Sequence, residues 1–189
     1  QKTIIEDQHF QGITSEDSAF HLADYENCTF INCSFSNANL SDYNFTDCQF
    51  EQCDFSLAKV KNTAFRDVQF KSCKLLGVRF EDGNKFGFST IFENCTLNLS
   101  SFYKMNLKTS KFKNCNLQEV DFIEADLTGL FLDNCDLAGV KFERSILEKV
   151  DFRTAQYYTI NPEKNRIKKA KFSLTGISGL LEQYNIVIE

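Results

Sequence analysis

Large apolar residues stand at every fifth position through the first half of the chain. Ile5, Phe10, Phe20, Tyr25, Phe30, Phe35, Leu40, Phe45, Phe50, Phe55, Val60, Phe65, Phe70, Leu75 and Phe80 keep this spacing, and Ser15 alone breaks it. Two residues ahead of most of them stands a small one: Ala23, Cys28, Cys33, Ala38, Cys48, Cys53, Ala58, Cys73. The pattern then resumes two residues late, from Phe92, Leu97, Phe102 and Leu107 to Phe142, Leu147 and Phe152. A helix cannot use a period of five. At about 100° per residue, each large side chain would sit about 140° around from the last, and no apolar stripe would form. A flat strand cannot use it either. The small and large residues, two apart, share a face, but the next small residue lies three further on and would point outward. The chain must therefore turn a corner once in every five residues. Phe102, Phe122 and Phe142 are twenty apart, as are Leu97, Leu117 and Leu137, so four five-residue sides make one coil. The spacing predicts an all-β, four-sided solenoid. Its register slip lies in EDGNKFGFSTI (81–91), and allowing for two extra residues there places Cys33, Cys53, Cys73, Cys95, Cys115 and Cys135 in one column.

That column bears on the cysteines, which number eight in 189 residues. Each occupies the small inward slot, as an apolar-tolerant filler stacked at the strand spacing of about 4.8 Å. Parallel, side-by-side Cβ directions suit a disulfide poorly, so free thiols and a reducing, cytoplasmic setting are expected. A zinc site needs closer pairs such as C-x₂₋₄-C with further ligands converging. Here the tightest spacing is C-x₄-C, and His9 and His21 belong to no cluster. No metal, cofactor or catalytic residue is expected. The inward slots leave no polar cleft, no nucleophile–histidine–carboxylate spacing is visible, and the few glycines make no phosphate-cradling loop. QKTIIEDQHF at the start shows no secretory signal, and no run reaches the ~18 apolar residues of a membrane span.

ANLSD (38–42), ADLTG (125–129) and CDLAG (135–139) resemble the A-(D/N)-L-x-x unit of the pentapeptide-repeat family. The likeness covers roughly residues 5–157 and implies a right-handed quadrilateral β-helix. DFRTAQYYTINPEKNRIKKAKF, with INPEKNRI (160–167) the nearest stretch, is similar to the ends of the microcin-immunity members. GLLEQYNIVIE also resembles the end of the quinolone-resistance members. Those relatives bind DNA gyrase or topoisomerase IV and protect it from poisons, as rod-like dimers that imitate duplex DNA. The resemblance implies the same partner for this chain, with no direct nucleic-acid or membrane contact. Several quinolone-resistance members carry long projecting loops, whereas this chain has only the two-residue excess at 81–91.

Two regions follow: a repeat helix over 1–157, and an irregular last coil with a capping and dimerisation segment over 158–189. Tyr157, Ile167 and Phe172 are expected to keep the inward register, with Pro162 in an inward slot. Residues 178–184 read as a short helix with Leu180, Leu181 and Tyr184 on its apolar side. Ile186, Val187 and Ile188 read as a terminal strand apolar on both faces, which needs a partner beyond its own coil. An isologous homodimer contact through these six residues would supply it; the competing reading is a tail that folds back to cap its own rod. Net charge is −5, unevenly spread: ten acids and one base in 1–57, four and eleven in 58–115, nine and three in 116–152, three and six in 153–189. Asp42, Asp47, Glu51 and Asp54, with Phe86 and Phe88 of the slip, form the expected partner-binding surface. Two functions compete. One is a DNA-mimicking protector of a type II topoisomerase, with acids gathered in stripes. The other is a structural scaffold for some other protein, with charges scattered.

Overall fold

Each five-residue side can close only if its last residue reverses the chain. In the computed structural model, which describes residues 2–189, this corner residue takes the left-handed conformation coil after coil, at φ between 50° and 76° from Asn27 and Asn32 to Gly129 and Gly139. Most residues avoid that region, and Asn, Asp and Gly enter it most readily. Between corners the backbone is extended and pairs with the coils before and after it. Short strands form on two of the four sides. The first side carries β1 (Thr3–Glu6), β3 (Ala23–Glu26), β5 (Asn44–Thr46) and β7 (Ala64–Arg66) in a parallel sheet. The second carries β2 (His9–Gln11), β4 (Thr29–Ile31), β6 (Gln49–Glu51), β8 (Val68–Lys71), β9 (Thr90–Glu93), β10 (Lys111–Lys113) and β11 (Leu132–Asp133), also parallel. The third and fourth sides stack through single bridges, such as Asp54 to Lys74 to Thr96 and Arg79 to Ser101 to Asp121. The result is the expected four-sided parallel β-solenoid.

The core follows from the register. Phe10, Phe30, Phe50, Phe70, Phe92 and Phe112 lie directly one above another on the second side. Their rings stack nearly parallel along the column, with centroids 4.7 Å apart for Phe30–Phe50 and 5.2 Å for Phe70–Phe92. Rings on neighbouring sides meet edge to face, as Phe50–Phe55 does at 4.9 Å and 86°. Both arrangements suit the ring quadrupole and contribute about 0.5–1.5 kcal/mol per pair beyond burial. One repeated residue type in one repeated slot is therefore its own packing partner.

The slip at 81–91 is a bulge on the first side. Asn84 still bridges Ala64, twenty residues earlier, whereas Thr90 pairs with Val68, twenty-two earlier. The regular repeat would send Lys85 into the slot above Phe65. The chain instead loops out at 85–87 and delivers Phe88, which is buried edge-on against Phe80 at 6.0 Å. Burying an ammonium without a partner costs far more than a two-residue loop. Phe88 is accordingly a core residue and not part of an exposed surface, a correction to the sequence expectation.

The C-terminal end brings two further corrections. Tyr157 does not keep the inward register. It sits at a left-handed corner (φ 61°), exposed, and Tyr158 is buried in its place. The reason is a close approach: a side chain on Gly176 or Gly179 would strike Tyr158, at its hydroxyl or its carbonyl, so two glycines fold over it. Rungs run on past residue 157, from Ile146 to Arg166 and from Asp151 to Lys171, and Phe152 stacks on Phe172 at 5.2 Å. Two 3₁₀ turns, Ile177–Leu180 and Glu182–Tyr184, then close the end. The expected strand at 186–188 is not formed among the described residues. The 3₁₀ turns use up chain without completing five-residue sides, so residue 186 does not come back above residue 166.

Candidate functional site

With the interior filled, what this chain can offer a partner lies on outward positions. The cysteines illustrate the filling. All eight are free and buried, and seven of the thiols donate to a carbonyl of the coil before, as Cys53 does to Phe30 (3.4 Å) and Cys73 to Phe50 (3.3 Å). Thr63 and Ser145 use their hydroxyls the same way, on Leu40 and Phe122. The slot thus selects a small side chain that can also donate, a detail that size alone did not reveal. Burial pushes the Cys48 thiol up to about 12, far from the thiolate that redox or metal chemistry requires. Among the described residues, no group of three or more His, Cys, Asp or Glu is placed to hold a metal ion.

The acids tell a different story. Asp42 and Asp47 are left-handed corners at the two ends of the first side, flanking β5. Glu51 lies on the second side within β6, in register with Ile31 and Lys71. Asp54 lies on the third side, where its carboxylate accepts the Ser56 amide at 2.8 Å. The four expected residues therefore do not form one patch. The structure instead gathers Asp42 and Asp47 with Glu6, Asp7, Asp24 and Glu26 on the first side. Glu6 stands directly beside Glu26 in the β1–β3 register. The signal was available in the sequence: Glu6 and Glu26, and Asp7 and Asp47, recur at multiples of twenty. Asn27, Asn44 and Asn62 donate to Asp7 (2.6 Å), Asp24 (2.6 Å) and Asp42 (2.8 Å), orienting the carboxylates without neutralising them.

Neutralisation divides the rod in two. Among the described residues, the ten acids of 1–57 hold a single ion pair, Asp24 with Lys2 at 3.4 Å. From residue 79 onward, eight of the fifteen acids are paired with bases of their own or a neighbouring coil, among them Glu124 with Arg144 (2.9 Å), Asp151 with Arg153 (2.8 Å), Glu148 with Arg166 (2.7 Å) and Asp126 with Lys108 (3.7 Å). The Arg144 guanidinium beside Glu124 holds its carboxyl below the usual carboxylate range.

Two further outward features remain. Phe86, at the crest of the bulge, is 81% exposed. At the C-terminus Leu180 is buried and Leu181 half-buried against the closing turns, so these two belong to the cap. Tyr184, Ile186, Val187 and Ile188 are exposed, and the Tyr184 hydroxyl donates to Glu163 (2.9 Å). No helix among the described residues is long and apolar enough to cross a membrane.

A family model described as a pentapeptide repeat region matches residues 23–85 and 88–161, breaking at the bulge. Among solved structures, HetL, a pentapeptide repeat protein involved in heterocyst differentiation regulation in the cyanobacterium Nostoc, superposes with a TM-score of 0.55. It is 15% identical over 91% of this chain and 88% of its own. A trypsin-treated form of QnrB1, a plasmid-mediated fluoroquinolone resistance protein, is 22% identical over 98% of this chain and 99% of that one, with a TM-score of 0.47. A pentapeptide repeat protein of the Arabidopsis thaliana thylakoid lumen is 19% identical over 59% of this chain and 66% of its own, with a TM-score of 0.22. No curated protein sequence matches the chain.

Proposed function

The chain belongs to the pentapeptide-repeat family, and on that footing we propose that it is a DNA-imitating rod that occupies the DNA-binding surface of DNA gyrase or topoisomerase IV and protects the enzyme from quinolone- or microcin-type poisons. The observation that carries this reading is the unneutralised acidic end. Residues 1–57 hold ten acids and one base, over nearly three coils, or about 14 Å of rod at the inter-strand spacing. That is roughly one net negative charge per 1.5 Å, against one per ~1.7 Å along duplex DNA. The whole rod falls well short of DNA, but this end matches its linear charge density. A scaffold for an unrelated partner would have no reason to leave nine of ten acids unpaired at one end while pairing eight of fifteen at the other. The likeness of INPEKNRI and GLLEQYNIVIE to the ends of poison-protecting members supports the choice of enzyme.

A homodimer through the C-terminus completes the reading. Tyr184, Ile186, Val187 and Ile188 are apolar and exposed, and a two-fold contact would cover them while leaving an acidic end at each tip. Removing residues 185–189 is expected to leave the rod folded and halve the mass seen in sedimentation; an unchanged mass counts against this contact. The functional test is gyrase supercoiling across protein concentration, with and without a quinolone or a peptide poison. Rescue at low and inhibition at high protein concentration are expected, whereas no inhibition and no rescue would discard the proposal.

A further inference from the structure

The first side carries a second pattern, and it centres on the bulge. Its outward column runs through nine rungs, from Ile4 on the first to Arg166 on the ninth, with Asn84 of the bulge on the fifth. Phe86, at the crest of the bulge, therefore stands at the midpoint of the side, with four rungs, or about 19 Å, to either end. It is the most exposed aromatic side chain among the described residues.

The two ends of this side carry opposite charge. On the first two rungs Glu6, Asp7 and Glu26 are exposed and have no ion-pair partner among the described residues, while Asp24 is held by Lys2 (3.4 Å). On the last two rungs Lys149, Lys168 and Lys169 are exposed and likewise unpaired, while Arg166 is held by Glu148 (2.7 Å). The outward charges come to −3 at one end (four acids and Lys2) and +3 at the other (four bases and Glu148). Nothing in the backbone asks for the lysines. Lys149 and Lys169 occupy left-handed corners (φ 60° and 61°), in the column where Asn27 and Gly129 show that neutral residues fit. Like charges one rung apart repel each other in a free chain.

From an exposed aromatic at the midpoint, and equal and opposite charges at equal distances from it, we infer that the first side is a self-association surface. It pairs two copies of this chain antiparallel, about a two-fold axis at the bulge. The axis sets each Phe86 against its counterpart, the first rung against the ninth and the second against the eighth. Glu6 then faces Lys168, Asp7 faces Lys169 and Glu26 falls beside Lys149, each twice over by symmetry. A parallel pairing would set acids on acids. Two like-signed meetings remain, Glu26 with Glu148 and Arg66 with Lys108. In each, one member is already neutralised, Glu148 by Arg166 and Lys108 by Asp126 (3.7 Å). Lys85 meets its own counterpart at the axis. The side is complementary to itself reversed, so the partner is a second copy. Charge sets the register of such a contact and makes it sensitive to salt. Unlike the apolar C-terminal contact it covers the acidic end, and it stands whether or not the topoisomerase reading holds.

The test treats the full chain with a carbodiimide, which joins a carboxylate directly to an amine in contact with it, and identifies the joined peptides by mass. Within one chain Asp7 and Lys169 lie eight rungs apart, about 38 Å, so a link from Glu6 or Asp7 to Lys168 or Lys169 must join two copies. Such links are expected at low salt and should fall at least tenfold at about 0.5 M salt, where screening leaves a range of only ~4 Å. Phe86→Cys should oxidise to a disulfide-linked pair, and Lys85→Gln, which removes the like charge at the axis, should raise the yield of links severalfold. Lys149→Glu with Lys168→Glu and Lys169→Glu should lose the links, as should Glu6→Lys with Asp7→Lys and Glu26→Lys. An equimolar mixture of these two variants should regain them, because each then offers both ends of one sign. Left-handed corners already hold glutamate at Glu119 and Glu124 and lysine at Lys149 and Lys169, so both variants are expected to fold. No such link at millimolar protein, or a mixture that links no better than its parts, would overturn the inference. Links without the Phe86→Cys pair would indicate an end-to-end contact and overturn it equally.

Discussion

A single backbone requirement, the left-handed corner, decides which residues the outward positions accept. Asn94, Asn114 and Asn134 occupy successive corners and pass a hydrogen bond up the column, Asn114 donating to Asn94 at 3.1 Å and Asn134 to Asn114 at 3.0 Å. Alanine normally outranks glycine in folded chains, but at such a φ the order should invert. Asn114→Ala is expected to cost about 1–2 kcal/mol, for αL strain together with the lost ladder. Asn114→Gly should cost less, and thermal unfolding of the two variants checks the order. Inside, burial makes the Cys48 thiol and the Tyr25 hydroxyl sensitive to alkaline pH. Burial raises the Cys48 thiol and the Tyr25 hydroxyl to about 12 each, whereas in the unfolded chain they ionise near ~8.5 and ~10. A group raised on folding contributes stability that is complete below its unfolded pKa and is lost as pH climbs towards its folded value. Stability should therefore fall between about pH 9 and 12, and denaturant midpoints across that range test it; a flat profile would mean that these groups are not buried in solution. In the native state at neutral pH, the eight thiols should not react with a thiol reagent that modifies them all in denaturant.

Sides and coils were legible in the sequence because the apolar period is strict, and the places where reading failed are those where that strictness lapses. A period assigns slots by counting, so it placed Tyr157 inward. It could not register that Gly176 and Gly179 would fold over the ring of Tyr158 instead. It located the two-residue excess correctly, but a count does not say which residues loop out. The cost of burying Lys85 decides that, and it sends Phe86 outward and Phe88 into the core. The 186–188 strand was inferred from apolar content alone, without the return above the preceding coil that every real rung here makes. The acidic face was half legible: Asp42 and Asp47 belong to it, Glu51 and Asp54 do not, and its other members recur at the coil period. The bulge gives the sharpest contrast at this scale. Phe88→Ala should cost about 3–5 kcal/mol as a core cavity, whereas Phe86→Ser should stay within about 0.5 kcal/mol as a surface change. Chemical denaturation of the two variants separates them, and a comparable loss in both would place Phe86 in the core as well.

Over the whole rod the charges are segregated: a single ion pair among the ten acids of the first three coils, eight ion-paired acids from the fourth coil onward, and bases clustered near the C-terminal end at Lys164, Lys168, Lys169 and Lys171. Like charges in register, such as Glu6 beside Glu26, repel and would be removed if stability were the only demand. Screening offsets part of that repulsion, with a Debye length of about 8 Å at physiological salt. The corner geometry allows the acids to be tested without disturbing the fold. Asp7 and Asp47 occupy left-handed corners (φ 55° and 54°) in the same column as Asn27 (φ 51°), which already shows that asparagine fits there. Asp7→Asn and Asp47→Asn, combined with Glu26→Gln on the strand between them, remove three negative charges and relieve the repulsion. Stability should stay level or rise slightly. If the acidic end stands in for the DNA backbone, inhibition of gyrase supercoiling should weaken by an order of magnitude or more in this triple variant, and its salt dependence should flatten, because fewer charges take part in the association. A variant that is at least as stable as the parent and equally inhibitory would show that the carboxylates serve only solubility, and the DNA-imitation reading would then fail although the rod itself stood.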